Sequence, residues 1–222
     1  MDRQPHDVPF LSCAQEFLRQ LDANNSKAWF SSNRELYECS LKDPGNRFCE
    51  SVCACLAERL SAPCDFKVFR IHRDLRFSKD KTPYNTHFRA SFGPITEESF
   101  NALWHLNIEP KKASFGVGKV SFSKLELASY RQAVISDHGT KLSDILSVLN
   151  AKGYRVSDLE LKRAPKGFPA LPGDESLLLR KSISVWGDID DQSLDDPSLA
   201  GAFAEFVSTS MALSTWLQEQ LW

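Results

Sequence analysis

Lys67-Val68-Phe69-Arg70-Ile71-His72-Arg73-Asp74-Leu75-Arg76-Phe77-Ser78-Lys79-Asp80-Lys81-Thr82-Pro83-Tyr84 is the stretch at which the chain changes its hydrophobic period. Upstream of it, apolar residues recur at three- and four-residue spacing. Within it, Phe69, Ile71, Leu75 and Phe77 alternate with polar residues, which predicts a strand over Lys67–Phe77. Alternate side chains of a strand share a face, about 7 Å apart. Arg70, His72, Asp74 and Arg76 are therefore expected on one face and the apolar residues on the other, with Arg73 among them. A charge on an apolar face must find a partner, and Glu109 or Glu126 are the expected partners of Arg73.

Working outward towards the N-terminus, Ser12 with Gln15 reads as a capping box, followed by Ala14, Phe17, Leu18 and Leu21 at helical spacing. Asn24-Asn25-Ser26 breaks that helix. A second is predicted from about Lys27 to Ser40, with Trp29, Asn33, Leu36 and Tyr37 on one stripe, interrupted by Pro44 and Gly45. A third carries Phe48, Val52, Leu56 and Leu60 inward and ends before Pro63. Towards the C-terminus, Phe88–Phe92 and Leu103–Ile108 alternate as strands. Gly116 and Gly118 mark a turn or a close backbone approach. The middle section thus reads as an antiparallel meander.

Ser123 with Glu126 opens a helix through Val134 that Gly139 stops, and Leu142, Ile145, Leu146 and Leu149 mark another, stopped by Gly153. Short strands are predicted at Arg155–Leu161 and Ser182–Trp186. Asp196-Pro197 is the expected N-cap of a closing helix with Phe203, Phe206, Val207, Leu213, Leu217 and Leu221 inward, bent near Ser210. The expectation is an α+β fold, a central antiparallel sheet flanked by N-terminal and C-terminal helices. With no linker or repeat visible, residues 1–222 read as one domain.

Of the 222 residues 42% are hydrophobic and 25% charged, which allows a sizeable core. The net charge of −2 lacks the global basic excess of a chain that wraps nucleic acid. Met1–Phe10 has no apolar signal core, and no run approaches a membrane span, so a soluble cytoplasmic protein is expected. Cys13, Cys39, Cys49, Cys53, Cys55 and Cys64 are expected as reduced thiols that pack as small apolar residues. A zinc role for Cys49, Cys53 and Cys55 lacks a second ligand pair, and no histidine stands ready to activate Cys64 as a nucleophile.

The chemistry is expected in the basic segment. From Lys67 through Arg89 seven Lys/Arg face two Asp, a local charge of +5 on a nearly neutral protein. Arginine forks match phosphate or carboxylate oxygens. Arg70, Arg76, Lys79 and Lys81 are candidate anion contacts, together with Ser78, Thr82 and Tyr84 from the turn that follows. His72 could exchange a proton near neutral pH, with Asp74 orienting the imidazole or a guanidinium, and these two are the candidate catalytic residues. The turn holds no glycine, so it is not a Gly-rich phosphate loop. A solvated basic hairpin explains the same charges. His105, Asn107 and Glu109 form a second polar row, and His72, Asp74, His105 and Glu109 could make a metal set if the two rows met. Ordinary cross-strand ion pairs are the simpler expectation, and no metal is assigned. Leu161-Lys162-Arg163-Ala164-Pro165-Lys166-Gly167-Phe168-Pro169 is another basic turn, either a second wall for an anion or a surface loop. No Walker A, G-x-S-x-G, H-E-x-x-H or G-x-G-x-x-G is present, and no cofactor is identified.

Asn24-Asn25-Ser26-Lys27-Ala28-Trp29-Phe30 with Asn33-Arg34 and Tyr37, the Phe69–Tyr84 segment, Ile108-Glu109-Pro110, Leu161–Phe168 and Trp216-Leu217 together resemble the family known as domain of unknown function 2461. The likeness covers about Phe10 to Leu221. It implies a single domain of a widespread, mostly bacterial family and carries over no activity. Asn85 stands where the family usually has a basic residue, and Lys111-Lys112 where it usually has glycines.

Three functions fit these residues. One is an enzyme or binding protein for a phosphorylated or otherwise anionic small molecule. Another is a nucleic-acid or protein interaction module that uses the same segment, which the isoelectric point of about 6.2 disfavours for nucleic acid. The last is a structural ion-pair network that fixes the sheet against Trp29, Asn33 and Arg34.

Overall fold

A computed structural model describes residues 9–95, 103–168, 175–190 and 194–221. The Met1–Phe10 reading lies almost wholly outside them. The fold is α+β. Its six strands are β1 (Cys64–Val68), β2 (Phe88–Pro94), β3 (Trp104–Ile108), β4 (Ala113–Lys119), β5 (Arg155–Val156) and β6 (Ile183–Asp188), and they follow the order β1-β2-β3-β4-β6-β5 in an antiparallel sheet. The chain divides into two compact units, one formed by residues 1–115 and 188–205, the other by 116–187 and 206–222.

In the first unit, α1 (Phe10–Ala23) buries Phe10, Leu11, Ala14, Phe17, Leu18 and Leu21 on one side. It starts ahead of the expected Ser12–Gln15 cap. The Phe10 amide, one of the donors a helix start leaves without a partner, donates to Asp196 Oδ1 at 2.7 Å. The next predicted helix is divided. α2 (Lys27–Ser32) is capped by Ser26, whose hydroxyl accepts from the Trp29 amide at 3.3 Å. At Asn33 the backbone leaves the helical region and the side-chain amide donates to Trp29 O at 2.8 Å, competing with the helix as asparagine does. α3 (Arg34–Tyr37) and a π-helical turn (Glu38–Lys42) then run straight into α4 (Asp43–Leu60).

Pro44 and Gly45 therefore do not interrupt a helix. Pro44 stands where the π-helical turn passes into α4, and Gly45 is buried against the Phe88 ring. Phe48, Val52 and Leu56 are buried as expected, along with Cys49 and Cys53. All the cysteines are free. Burial pushes the Cys49 thiol far up and the Cys53 thiol up to about 11, which leaves both as packing residues.

β1 pairs antiparallel with β2, with Cys64 opposite Pro94 and Val68 opposite Ala90. β2 pairs antiparallel with β3, with Phe88 opposite Ile108. These three strands are the expected meander. The predicted Lys67–Phe77 strand is not formed: the ladder closes at Val68, and residues 69–87 leave the sheet as one long excursion between β1 and β2. α4 packs on β1 and β2, and α1 on β3. Phe92 and Phe115 meet Phe203 of α7 (Asp196–Leu221) with ring centroids 5.3 and 5.0 Å apart.

In the second unit the Ser123 capping box forms. Ser123 Oγ accepts from the Glu126 amide and Glu126 Oε2 from the Ser123 amide, opening α5 (Lys124–Val134). Gly139, expected as a stop, sits instead in the first turn of α6 (Asp137–Ala151), which Ser136 caps. The expected strand Arg155–Leu161 shortens to β5, paired with β6 through Arg155 opposite Trp186. Tyr130 anchors this core. It is fully buried, contacts Phe122 and Trp216, and donates its hydroxyl to Leu177 O at 3.0 Å.

α7 runs without interruption through Ser210. Its cap is Asp195, which accepts from the Ser198 amide at 2.8 Å, and not Asp196, whose carboxylate is committed to Phe10. Among the described residues, no helix is long and apolar enough to cross a membrane.

Candidate functional site

The excursion over residues 69–87 has no ladder to hold it, so side chains must. A single antiparallel bridge joins His72 to Tyr84, closed by the Arg73 amide donating to Pro83 O at 3.0 Å and the Asn85 amide to Ile71 O at 2.7 Å. Asn25, from the turn before α2, grips the same place. Its Oδ1 accepts from the Tyr84 amide at 3.1 Å and its Nδ2 donates to Tyr84 O at 2.9 Å. Asn85 Nδ2 donates to Arg70 O at 3.2 Å. Tyr84 is buried, stacked on Phe30 with centroids 4.1 Å apart, and His72 sets its edge against both rings.

Arg73 is the hub of the turn. Nη1 donates to Asp80 Oδ2 at 2.5 Å, to Thr82 O at 3.2 Å and, very closely, to Thr82 Oγ1, while Nη2 reaches Ser78 Oγ at 3.4 Å. Its partner is thus local, and neither Glu109 nor Glu126. Five residues of the Ser78–Thr82 turn are enough to return a carboxylate to the arginine, so no distant acid is required. The Thr82 amide and then Arg73 pull the Asp80 carboxyl down to about 2.

The alternation of the sequence survives as exposure without a strand. Ile71 is buried and Leu75 half-buried, whereas Arg70, His72, Asp74 and Arg76 are exposed. Phe77, expected inward, is 95% exposed, with the Arg76 guanidinium over its ring. Asp74 and Arg76 come together, Nη2 to Oδ2 at 2.6 Å and Nε to Oδ1 at 3.0 Å, and this fork holds the Asp74 carboxyl below its ordinary range. Asp74 is thus engaged with Arg76. Lys81 Nζ donates to Leu75 O at 3.1 Å. Arg70 and Lys79 are exposed and have no ion-pair partner among the described residues.

The metal set does not assemble. His105 is buried on β3 with Nδ1 2.9 Å from Ser91 Oγ, and Glu109 bonds Asn107 and Lys112. Among the described residues no group of three or more His, Cys, Asp and Glu is arranged for a metal ion. The polar row of β3 meets Arg89 of β2 instead. Arg89 Nε donates to Asn107 Oδ1 at 2.9 Å, Asn107 Nδ2 donates to Glu109 Oε1 at 2.9 Å, and Lys112 Nζ lies 3.4 Å from Glu109 Oε2. This chain aims the Arg89 guanidinium and leaves its terminal nitrogens without a partner among the described residues.

His87 belongs with this group, although the sequence alone gives it no role. It is half-buried, and desolvation, aided by Arg89 and Arg73 and opposed by Glu109, lowers its imidazole to about 4. Its only sequence signal was the His87-x-Arg89 spacing beside a strand start. The sign of its effect on stability follows. The unfolded imidazole protonates near pH 6.5 and the folded one only near 4, so stability present above pH 6.5 is lost as pH falls towards 4. With solvent screening of a half-exposed ring, the loss amounts to about 1–2 kcal/mol. Thermal unfolding at pH 7 and pH 4.5 should show it, and His87→Phe should flatten that part of the difference. An unchanged slope in the variant rules out this assignment.

The family model described as "Conserved hypothetical protein (DUF2461)" matches residues 14–216, and the chain belongs to that family. No curated protein matches. Among solved structures, the chain is similar to an uncharacterized protein from Methanothermobacter thermautotrophicus, at 12% identity and a TM-score of 0.38, over 79% of this chain and 99% of that one.

Proposed function

We propose that this member of the DUF2461 family binds a phosphorylated or carboxylated small molecule on the exposed cations of the Arg70–Arg89 segment. One observation carries the reading. Both aspartates of the segment are committed, Asp74 to Arg76 and Asp80 to Arg73, and Arg70, Lys79, Lys81 and Arg89 are exposed and make no direct ion pair among the described residues, Asp74 and Glu109 acting on Arg70 and Arg89 only at longer range. The backbone beneath them is fixed by Asn25 and Arg73, and a fixed frame lowers the cost of ordering a binding loop. Arg89, aimed through Asn107, offers its terminal nitrogens to two oxygens. Lys79 and Lys81 act as point charges, with the Ser78 and Thr82 hydroxyls beside them. If proton transfer is part of the function, exposed His72 performs it, and Asp74 serves by orienting Arg76 rather than the imidazole.

The Arg73–Asp80 and Arg76–Asp74 pairs also favour a purely structural role for the motif, so the test must separate the two readings. Calorimetric titration with sugar phosphates, nucleotides and dicarboxylates at constant ionic strength should give saturable binding. Arg89→Gln and the double variant Arg70→Gln/Lys79→Gln should each weaken it about tenfold, the scale of one charge-assisted hydrogen bond. Absence of binding by every anion, or identical binding by these variants, returns the segment to a structural role. A steep loss of affinity for single-stranded nucleic acid with salt would instead favour a nucleic-acid surface.

A further inference from the structure

Arg180, in the second unit, poses a separate problem. It follows the 3-10 turn Glu175–Leu179, precedes β6, and is only 8% exposed. A buried guanidinium normally has a carboxylate against it, because an unpaired buried charge is strongly unfavourable. Arg180 Nη1 donates, at very short range, to the Ser157 carbonyl, a neutral acceptor. Its Nε is buried without any partner among the described residues. The acid tied most closely to this stretch, Glu160, is occupied: its oxygens accept from the Lys181 amide at 2.9 Å and, very closely, from the Ser182 hydroxyl. With Nη1 used, the edge left open is Nε with Nη2, which is the edge that matches two oxygens of a carboxylate or phosphate.

The same region repeats the anomaly. Arg131 of α5, the helix that packs on the Glu175–Leu179 turn, also buries an Nε with no partner among the described residues, and its guanidinium lies over the Phe168 ring at 5.8 Å. Phe168 closes the basic turn noted in the sequence, whose Lys162, Arg163 and Lys166 are exposed. The turn enters beside Arg180, because Leu179 O accepts from both the Glu160 and Leu161 amides at 3.2 and 2.9 Å. Two arginines with unsatisfied buried nitrogens thus flank a turn carrying three more cations. We infer that Arg180, Arg131 and the Leu161–Phe168 turn form a second oxyanion site, which takes a carboxylate or phosphate group of a small molecule on the open edge of Arg180. It is independent of the Arg70–Arg89 segment.

The nitrogen itself can be observed. In ¹⁵N-labelled protein, titration with inorganic phosphate and separately with malonate, at constant ionic strength held by chloride, should shift the Arg180 Nε–H resonance saturably. Arg89→Gln should leave that shift unchanged, which separates this site from the one in the other unit. Arg180→Lys keeps the charge and loses the fork, and should weaken phosphate binding about tenfold. Arg131→Gln, at a less buried position, supplies a second variant should Arg180→Lys unfold, and should weaken binding as well. No shift of the Arg180 resonance with either anion overturns the site.

Discussion

Gly118→Ala is expected to destabilise the second unit by about 3–5 kcal/mol, lowering its thermal midpoint by roughly 10 °C. Gly118 lies inside β4 at φ +117, a backbone conformation closed to residues with a Cβ. A methyl group there would stand 2.1 Å from Ile183 O and 3.0 Å from Ser184 Cα, both backbone atoms of β6. Backbone within a sheet cannot step aside as a flexible side chain can, so the strand must shift or the pairing open. Gly153→Ala is the control. It also has positive φ, at +86, but a Cβ there would meet nothing within 4 Å. That variant should lose only the conformational term, about 1 kcal/mol. Equal losses in the two variants, read by thermal and urea unfolding, would refute the close-approach argument.

The same glycine shows how far the sequence could be read. Gly116 and Gly118 marked a turn or a close approach, and close approach is what Gly118 meets, but only the strand opposite, sixty-odd residues on, distinguishes the two. Local signals with local causes were legible. The Ser123–Glu126 box needs only its own four residues, and the antiparallel meander needs only alternation in β2 and β3. Signals whose outcome depends on a distant partner were not. Ser12–Gln15 looks like a cap, yet α1 starts three residues earlier, where Asp196 accepts its first amide. Pro44-Gly45 looks like a break, yet the helical run continues there from the π-helical turn into α4, with Gly45 against the Phe88 ring.

The basic segment failed as a strand for a related reason. Alternation reports which side chains face water, and Ile71 to Arg76 do alternate in exposure. It does not report whether a neighbouring backbone is present to complete a ladder. Past Val68 the pairing is reduced to the Phe69–Arg89 hydrogen bond and the single His72–Tyr84 bridge, and Asn25 and Arg73 supply the rest of the hold. Arg89 counts in the sequence only towards the charge of the segment, and His87 carries no role there, because their meaning depends on the β2–β3 register, which places Arg89 opposite Asn107. The expected anion contacts at Arg70, Lys79 and Lys81 rest on charge alone, and charge was readable. The grip on the backbone beneath them, which decides whether those charges are held or merely solvated, was not.

That grip can be removed at one residue. Asn25→Ala deletes both side-chain hydrogen bonds to Tyr84 and leaves a part-buried amide and carbonyl without partners, at a cost of about 2–4 kcal/mol. The damage should be local. The Arg73 and Asn85 amides, which close the bridge to Pro83 and Ile71, should exchange their hydrogens faster than the β2–β3 amides, since the excursion has no ladder of its own. Anion affinity at the segment should fall with it, because Lys79, Lys81 and Thr82 would have to be ordered at the moment of binding. Asn25→Asp sharpens the comparison. It keeps the acceptor for the Tyr84 amide, loses the donor to Tyr84 O, and adds a negative charge near the site, so it should bind anions less well than Asn25→Ala at similar or greater stability. If Asn25→Ala leaves the exchange of Arg73 and Asn85 unchanged, Asn25 does not hold the excursion. If exchange accelerates while anion binding persists at full strength, the frame and the binding are unconnected, and the cations of this segment act as independent surface charges.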